Sequence, residues 1–229
     1  DDKDFAPEPF NPFYQRSLFQ SMRNLAVENL GLLKRGLKTV PESVRAEAEK
    51  VAALEPEILK RLRTVADMRI TGMRLRVHGD YHLGQVLHTG KDFLIIDFEG
   101  EPARSLSERR LKRTPLRDVA GMLRSFDYAA HAALFQQLER GVITEETMSR
   151  IEPWARFWTH WTSVVFLQAY LSAAKSGNFL PEGGQEMKTL LEANLMNKAL
   201  YELGYELNNR PAWLRIPLQG ILQLMEGPK

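Results

Sequence analysis

The stretch Val77-His78-Gly79-Asp80-Tyr81-His82-Leu83-Gly84-Gln85, followed by Ile96-Asp97-Phe98-Glu99, decides the fold of this chain. Two short apolar runs, residues 85–88 and 93–96, flank Thr89-Gly90-Lys91-Asp92, which is typical of a hairpin turn. A hairpin at this point brings the second motif back beside the first. The sequence therefore predicts that Asp80, Gln85 and Asp97 lie at one place.

The spacing of these three side chains is typical of kinase-type phosphoryl transfer: an Asp, an amide residue five positions later, and an Asp after an apolar run. In that chemistry Asp80 accepts the proton of the attacking hydroxyl, Gln85 holds a metal ion, and Asp97 holds the metal that bridges the phosphates. Mg²⁺ is the expected ion, because hard oxygen ligands from few side chains plus phosphate suit it. The alternative is a chance spacing within a loop.

The nucleotide-covering half of a kinase is not recognisable in the sequence. There is no G-x-G-x-x-G, no G-x-x-x-x-G-K-[ST], and no strand lysine before Asp80, where the residues favour helices. We therefore expect a mainly α fold: a protein-kinase-like carboxy-terminal lobe with one small β-hairpin carrying the catalytic and metal residues, and no amino-terminal nucleotide lobe. Residues 1–70 are predicted to be a helical segment leading into this lobe, and residues 71–229 to form it as one compact unit.

Apolar periodicity and helix-start signals predict a series of helices along the chain. They cover residues 14–37, a segment from Pro41, a segment from Pro56 to about residue 69, and residues 115–141, 153–177, 182–207 and 213–226. A short strand is expected over residues 74–78. Aromatic residues of the helix at 153–177, among them Trp158 and Trp161, are interpreted either as core or as a platform for a sugar.

Composition narrows the functional classes. The chain has 229 residues with 31 basic and 29 acidic side chains, and its formal charge of +2 gives no footprint for nucleic acid. It has no cysteine, which fits a reducing cytoplasm, and no apolar stretch of the roughly 20 residues that a membrane span needs. The basic run at residues 104–117 is interpreted as a solvated loop, or as a contact with phosphate or a partner domain.

The motif residues resemble a known family. Residues 78–87, 96–102 and 115–126 closely resemble bacterial maltokinases of the aminoglycoside-phosphotransferase-like superfamily, and the likeness runs from about Phe10 to the end. The nearest likeness is to the maltokinase-like domain fused to trehalose synthase. The resemblance implies ATP-dependent phosphorylation of maltose to maltose 1-phosphate, in trehalose and α-glucan metabolism. It also implies a fused trehalose synthase domain or other upstream region as a partner.

By the same resemblance, Asp80 is the base toward the anomeric hydroxyl of maltose, and Gln85 and Asp97 are the Mg²⁺ ligands. His78 opens and braces the catalytic loop, and Asp118, at the start of a central helix, anchors it. Gln85 stands where most kinases have Asn, a replacement that maltokinases share. Glu99 replaces the Gly of the kinase D-F-G motif, so it adds a carboxylate near the metals and is a candidate substrate contact.

A second set of candidate residues lies near the end of the chain. Tyr201 and Tyr205 are four residues apart on one face of a predicted helix, with Glu206 in a parallel polar row and Arg210 shortly after it. Maltokinases have a similar stretch close to the acceptor sugar. Acceptor binding is therefore one interpretation of these residues, and helix packing is the other.

The sequence thus predicts the catalytic and acceptor-binding lobe of a maltokinase-like phosphotransferase, which we expect to be inactive without a nucleotide lobe. One alternative is a related small-molecule kinase with another acceptor, such as a different sugar or an aminoglycoside. Another is a non-catalytic kinase-like module attached to trehalose synthase. The presence of Asp80, Gln85 and Asp97 together argues against the last, because a module without catalysis has no chemical need of all three.

Overall fold

The first long helix begins where the sequence supplies both a cap and a proline. In the computed structural model, which describes residues 3–102 and 104–227, this helix spans Pro12–Gly36. The Asn11 side chain accepts the N–H of Tyr14 at 2.9 Å, and Pro12 occupies the first turn, where a backbone N–H has no helical partner to lose. The same local logic of caps and prolines sets several of the later helices.

The described residues are mostly helical, with four short strands among them. The helices are α1 (Pro12–Gly36), α2 (Glu42–Ala53), α3 (Glu55–Asp67), α4 (Leu106–Arg109), α5 (Leu116–Glu139), α6 (Glu145–Ala174), α7 (Gly184–Asn209) and α8 (Arg215–Glu226). The strands are β1 (Glu8–Pro9), β2 (Met73–Arg74), β3 (Val86–His88) and β4 (Phe93–Ile95). This composition agrees with the predicted mainly α class.

The chain divides into two compact units. Unit 1 comprises the residues up to Leu75 and those from Leu180 onward, and unit 2 comprises Arg76–Phe179. The division differs from the predicted one, in which residues 71–229 form a single unit. The reason is that α7 and α8 pack against the amino-terminal helices.

Unit 1 is a set of packed helices held by apolar contacts and a few buried amides. Helix α1 packs against α3 and α7, and α8 packs against α2 and α7. The Gln15 side chain donates to the carbonyl oxygens of Val65 and Met68, which satisfies the end of α3. The largest fully buried side chains of this unit are Met22, Leu30, Leu33, Ile58, Leu62, Leu190, Met196, Leu200, Leu203, Leu214 and Ile216.

Unit 2 combines the predicted hairpin with two long helices. Strands β3 and β4 are antiparallel, with Val86 opposite Ile95 and His88 opposite Phe93. The backbone N–H of Thr89 donates to the carbonyl of Asp92 at 2.8 Å and closes the turn. Helices α5 and α6 pack side by side and bury an apolar face of α5. The hairpin is therefore where the sequence predicts it.

Two sequence predictions for the fold are wrong. The strand expected over residues 74–78 is limited to Met73–Arg74, which pairs with β1. Helix α6 begins at Glu145 rather than near Pro153, because the Thr144 side chain accepts the N–H of Thr147 and starts the helix earlier. Pro153 then lies inside α6, where it removes one backbone donor without ending the helix.

The aromatic residues of α6 are more exposed than a core assignment allows. Trp154, Trp158 and Trp161 are 71%, 47% and 52% exposed. These three side chains are therefore not packed in the core. None of the helices in the described ranges is both long and apolar enough to cross a bilayer.

Candidate functional site

Helix α5 positions the loop that carries Asp80, residues 78–85, called the motif loop below. Asp118 lies in the first turn of α5 and accepts two backbone hydrogen bonds from this loop. The N–H of His78 donates to Oδ2 at 2.7 Å, and the N–H of Gly79 donates to Oδ1 at 2.9 Å. Gly79 has φ of 87°, a left-handed conformation that suits glycine. The carboxylate therefore fixes the backbone immediately before Asp80.

The next turns of α5 hold the same loop at two further points. A side-chain Cβ placed at Gly121 would lie 2.5 Å from the carbonyl oxygen of Tyr81, so helix and loop meet at van der Waals distance only because position 121 is Gly. The Ser125 hydroxyl accepts the N–H of Leu83 at 3.2 Å and donates to the carbonyl of Met122 at 2.8 Å. Both contacts continue the face of α5 that starts at Asp118.

Sequence reasoning gave no role to Gly121 or Ser125. With Asp118 they occupy positions i, i+3 and i+7 of one helix, and this spacing places three side chains on one face. The sequence shows this spacing, but a single sequence does not show that a loop packs against this face of α5. The contacts of these residues therefore emerge only from the structure.

Burial shapes the electrostatics around Asp118. Burial raises the pKa of the Asp118 carboxyl above its ordinary value, while the N–H groups of Gly79 and His78 partly offset that rise by donating to the carboxylate. Burial and the nearby Asp118 charge also raise the pKa of the Tyr170 phenol to about 12 and raise that of Tyr81. Both phenols are therefore hydrogen-bonding groups rather than phenolates near neutral pH.

His78 links the motif loop to the segment that carries Asp97. Its ring is buried, with Nε2 at 2.8 Å from the carbonyl oxygen of Ile96 and Nδ1 at 3.4 Å from the backbone N–H of Asp80. A carbonyl only accepts, so Nε2 carries a proton, and Nδ1 accepts the N–H of Asp80. One imidazole thus spans from the residue before Asp97 to Asp80 itself.

The two predicted metal ligands are in direct contact. The Gln85 amide donates to Oδ2 of Asp97 at 2.9 Å, and the N–H of Ile96 donates to the carbonyl of Gln85 at 3.0 Å. Asp97 has φ of 63°, a left-handed conformation that is uncommon for residues other than Gly. Asp is one of the few residues other than Gly that adopt this conformation, and residues held in it are frequent at functional sites.

Two further candidate carboxylates, Asp80 and Glu99, differ in exposure. The Asp80 side chain is 17% exposed, and its Oδ2 lies 3.8 Å from Nε2 of His82. The Glu99 side chain is 81% exposed and lies 3.9 Å from the Arg109 guanidinium. Within residues 3–102 and 104–227 no group of three His, Cys, Asp or Glu side chains is arranged to hold a metal ion. The Asp97 carboxylate and the Gln85 amide contact each other, and their role as metal ligands stays a prediction.

The candidate residues near the end of the chain belong to unit 1. Glu206 is 1% exposed and forms two hydrogen bonds with Arg210, at 2.7 and 3.0 Å. The Arg210 guanidinium also lies over the rings of Tyr205 and Trp213, at 5.3 and 4.6 Å from their centroids. Lys198 lies 5.2 Å from the Tyr201 ring centroid. Helix packing accounts for the Glu206–Arg210 pair, and acceptor binding by these residues stays a prediction.

Comparison with known proteins gives partial relatives. No family model matches the chain. A curated glucosamine kinase of Streptacidiphilus jiangxiensis is 30% identical over 91 residues, which are 40% of this chain and 20% of that protein. A glucosamine kinase of Mycolicibacterium smegmatis is 27% identical over 151 residues, which are 65% of this chain and 34% of that protein.

The fold matches solved structures over nearly the whole chain. A structure of glucosamine kinase in complex with glucosamine, ADP and inorganic phosphate superposes with a TM-score of 0.74 at 21% identity, covering 96% of this chain and 50% of that one. A structure of glucosamine kinase in crystal form A superposes with a TM-score of 0.73 at 21% identity, covering 96% of this chain and 49% of that one. The chain therefore has a sugar-kinase-like fold. It spans about half the length of the matched structures and a smaller share of the curated relatives.

Proposed function

We propose that this chain is the catalytic and acceptor-binding part of an ATP-dependent sugar kinase. The proposal rests on two sets of contacts that bring Asp80, Gln85 and Asp97 to one place. His78 ties the backbone of Asp80 to the residue before Asp97, and Gln85 contacts Asp97 at 2.9 Å. These are the three side chains whose spacing is typical of phosphoryl transfer.

The chemistry assigned to this chain is proton removal and positioning. Asp80 accepts the proton of a sugar hydroxyl as the hydroxyl oxygen bonds to the γ-phosphorus of ATP, and the bond from that phosphorus to ADP breaks. Asp118 and His78 keep the Asp80 backbone in place during this step. Because phosphoryl transfer needs little covalent help from the protein, such positioning supplies much of the catalysis.

Mg²⁺ fits the donor set of unit 2. The Asp97 carboxylate and the Gln85 amide oxygen are hard ligands, and Mg²⁺ is bound in kinases by one or two such groups together with phosphates and water. A bound Mg²⁺ supplies charge neutralisation at the transferring phosphate. The left-handed backbone of Asp97 is consistent with a residue held in place for such a ligand role.

The proposal also names the sugar that accepts the phosphoryl group. The motif resemblance implies maltose, and the names of the relatives imply glucosamine, which we favour. An amino sugar carries an ammonium group, and a carboxylate forms a charge-assisted hydrogen bond with such a group. Glu99, two residues after Asp97 and 81% exposed, is the candidate partner of that ammonium.

The test is ADP release by the complete polypeptide that contains this chain, with ATP, Mg²⁺ and glucosamine, maltose or glucose. We expect acceptor-dependent turnover with glucosamine and a raised KM for it in Glu99→Gln. Turnover with maltose alone, unaffected by Glu99→Gln, would support a sugar kinase whose acceptor is maltose rather than glucosamine. No turnover with any sugar, in Mg²⁺ or Mn²⁺, would contradict the proposed function. This chain alone is expected to show no turnover.

A further inference from the structure

The imidazole of His82 lies between the candidate base and the turn that leads to Gln85. His82 precedes the single 3₁₀ turn Leu83–Gln85, and its own backbone is extended, with φ of −155°. Its Nδ1 accepts the backbone N–H of Gly84 at 3.0 Å, and its Nε2 lies 3.8 Å from Oδ2 of Asp80. One ring nitrogen therefore contacts the turn, and the other faces the candidate base.

The contact with the turn fixes which ring nitrogen carries the proton. A nitrogen that accepts an N–H has no proton of its own, so in the neutral ring of His82 the proton is on Nε2. An ionised carboxylate only accepts hydrogen bonds. The Nε2–H of His82 and the carboxylate of Asp80 are therefore a donor and an acceptor that face each other, about 1 Å further apart than in a charge-assisted hydrogen bond.

The position of this ring depends on a glycine. A Cβ placed on Gly84 would lie 2.7 Å from Cε1 and 2.9 Å from Nδ1 of His82. Apart from the residues next to Gly84 in the chain, no other described atom lies within 4 Å of that Cβ position. The imidazole alone therefore occupies the space that a side chain at position 84 would need.

We propose that His82 is a positioning residue for Asp80, an inference that rests on the proposed sugar-kinase function. When the substrates are bound, Nε2–H of His82 donates to the Asp80 carboxylate and fixes the direction in which this carboxylate faces the acceptor hydroxyl. Hydrogen bonds at catalytic sites are often long without substrate and shorten in the complex, which agrees with the separation of 3.8 Å. Asp80 remains the group that accepts the proton.

This role complements that of His78, the other histidine near the candidate base. His78 is buried and contacts backbone groups, namely the carbonyl of Ile96 and the N–H of Asp80. The side chain of His82 is 38% exposed and faces the side chain of Asp80, which is 17% exposed. One histidine thus holds the backbone of the candidate base, and the other orients its carboxylate.

Two substitutions of His82 separate the functions of its two nitrogens. In His82→Asn the side-chain oxygen still accepts the Gly84 N–H, but the shorter side chain brings no donor to Asp80. In His82→Gln the longer amide donates toward Asp80, and the contact with Gly84 is lost. The measurement is kcat and KM of the complete polypeptide with ATP, Mg²⁺ and the favoured sugar.

We expect kcat of His82→Asn to fall about 10–100-fold with little change in KM, because one hydrogen bond to a charged group is lost. His82→Gln should keep a larger part of the wild-type kcat. His160→Asn, at an exposed histidine of α6, is the matched control and should leave kcat unchanged. If His82→Asn were at least as active as His82→Gln, His82 would serve only the turn, and the proposal would be overturned.

A substitution at Gly84 tests the same ring without changing it chemically. Gly84→Ala should lower kcat, because the added methyl displaces the imidazole from its place beside Asp80. In a His82→Ala background the methyl meets no ring, so Gly84→Ala should cause little further loss. Equal losses of kcat in the two backgrounds would contradict the placement of the ring.

NMR provides a readout that needs no turnover. Long-range ¹H–¹⁵N spectra of this chain, recorded at about pH 8 where histidine is ordinarily neutral, distinguish protonated from unprotonated ring nitrogens. We expect the proton of His82 on Nε2, and a larger shift of the Nε2 signal than of the Nδ1 signal in Asp80→Asn. A proton on Nδ1 would overturn the proposal. Absence of wild-type turnover with any sugar would contradict the proposed function instead, and the spectra would then decide whether His82 presents its N–H to Asp80.

Discussion

The Asp118 carboxylate holds the backbone N–H of His78 at 2.7 Å, and this single contact joins the first turn of α5 to the start of the motif loop. The other oxygen of the same carboxylate accepts the N–H of Gly79 at 2.9 Å. Two consecutive backbone groups are thus fixed immediately before Asp80. The position of the candidate base is set by a residue nearly forty positions later in the chain.

Replacing Asp118 by Asn is expected to destabilise the chain by about 1–3 kcal/mol, because one of two buried backbone donors loses its acceptor and faces an NH₂ group instead. Urea denaturation measures the change. Asp67→Asn is the control, since Asp67 is 63% exposed and pairs only at the surface with Arg63; it should change stability by less than about 0.5 kcal/mol. If the two variants lost equal stability, Asp118 would not anchor the motif loop.

Gly121→Ala should destabilise the chain although Ala favours helices. The added Cβ meets the Tyr81 carbonyl at 2.5 Å, so α5 and the motif loop must separate. Gly184→Ala is the matched helical control, because a Cβ there has nothing within 4 Å. We expect a lower Tm for the first variant and an equal or higher one for the second. A Gly121→Ala variant as stable as wild type would mean that helix and loop are not in contact at this point.

Two substitutions at Asp97 distinguish the effect of its backbone conformation on stability from the effect of its charge on Mg²⁺ binding. Asn tolerates the left-handed conformation of this residue, whereas Ala pays about 1–2 kcal/mol for it. Asp97→Asn should therefore keep the stability of the wild type, and Asp97→Ala should lose about that amount. Both should lose Mg²⁺-dependent stabilisation in the presence of ATP, measured as the shift of Tm in the complete polypeptide. Equal stability of the Asn and Ala variants would contradict the strained backbone.

A buried ion cluster in unit 2 should make stability depend on pH. Burial disfavours the charged form of His131, but the hydrogen bond and charge of Asp127, with the charge of Glu152, outweigh it and raise the pKa of His131 above 6.5. Burial likewise opposes ionisation of Asp127, but His131 and Arg124 hold its pKa below 3.8. The cluster therefore consists of charged partners at mildly acidic pH.

The sign of the pH effect follows from these two shifts. The His131 contribution is full below about pH 6.5 and is lost as pH rises through its raised pKa. The Asp127 contribution is full above about pH 3.8 and is lost as pH falls through its lowered pKa. The urea concentration at the midpoint of unfolding should thus decline above pH 6.5 in the wild type. In His131→Gln this midpoint should change less with pH. A midpoint that rises from pH 6 to 8 in the wild type would contradict this assignment.

Much of the local structure was predictable from sequence. The hairpin follows from its turn residues, α1 from the apolar periodicity of residues 14–37, and the contact of Gln85 with Asp97 from the folding back of the hairpin. These features depend on neighbours in the chain, which a sequence displays directly.

Features that depend on distant contacts were not predictable. The exposure of Trp158 depends on what lies opposite α6, since an aromatic stripe at helical spacing is compatible with core or surface. The grouping of α7 and α8 with α1 depends on which apolar faces meet. The pairing of Glu206 with Arg210 was visible as spacing, but its burial was not.

The role of Asp80 as the base is tested by kcat of Asp80→Asn in the complete polypeptide, with the favoured sugar and saturating ATP. We expect kcat to fall about 10²–10⁴-fold with little change in KM or in stability, because the side chain loses only its capacity to accept a proton. Asp67→Asn, which is remote from the motif in sequence, should keep the wild-type kcat. An undiminished kcat in folded Asp80→Asn would contradict the assignment of Asp80 as the base.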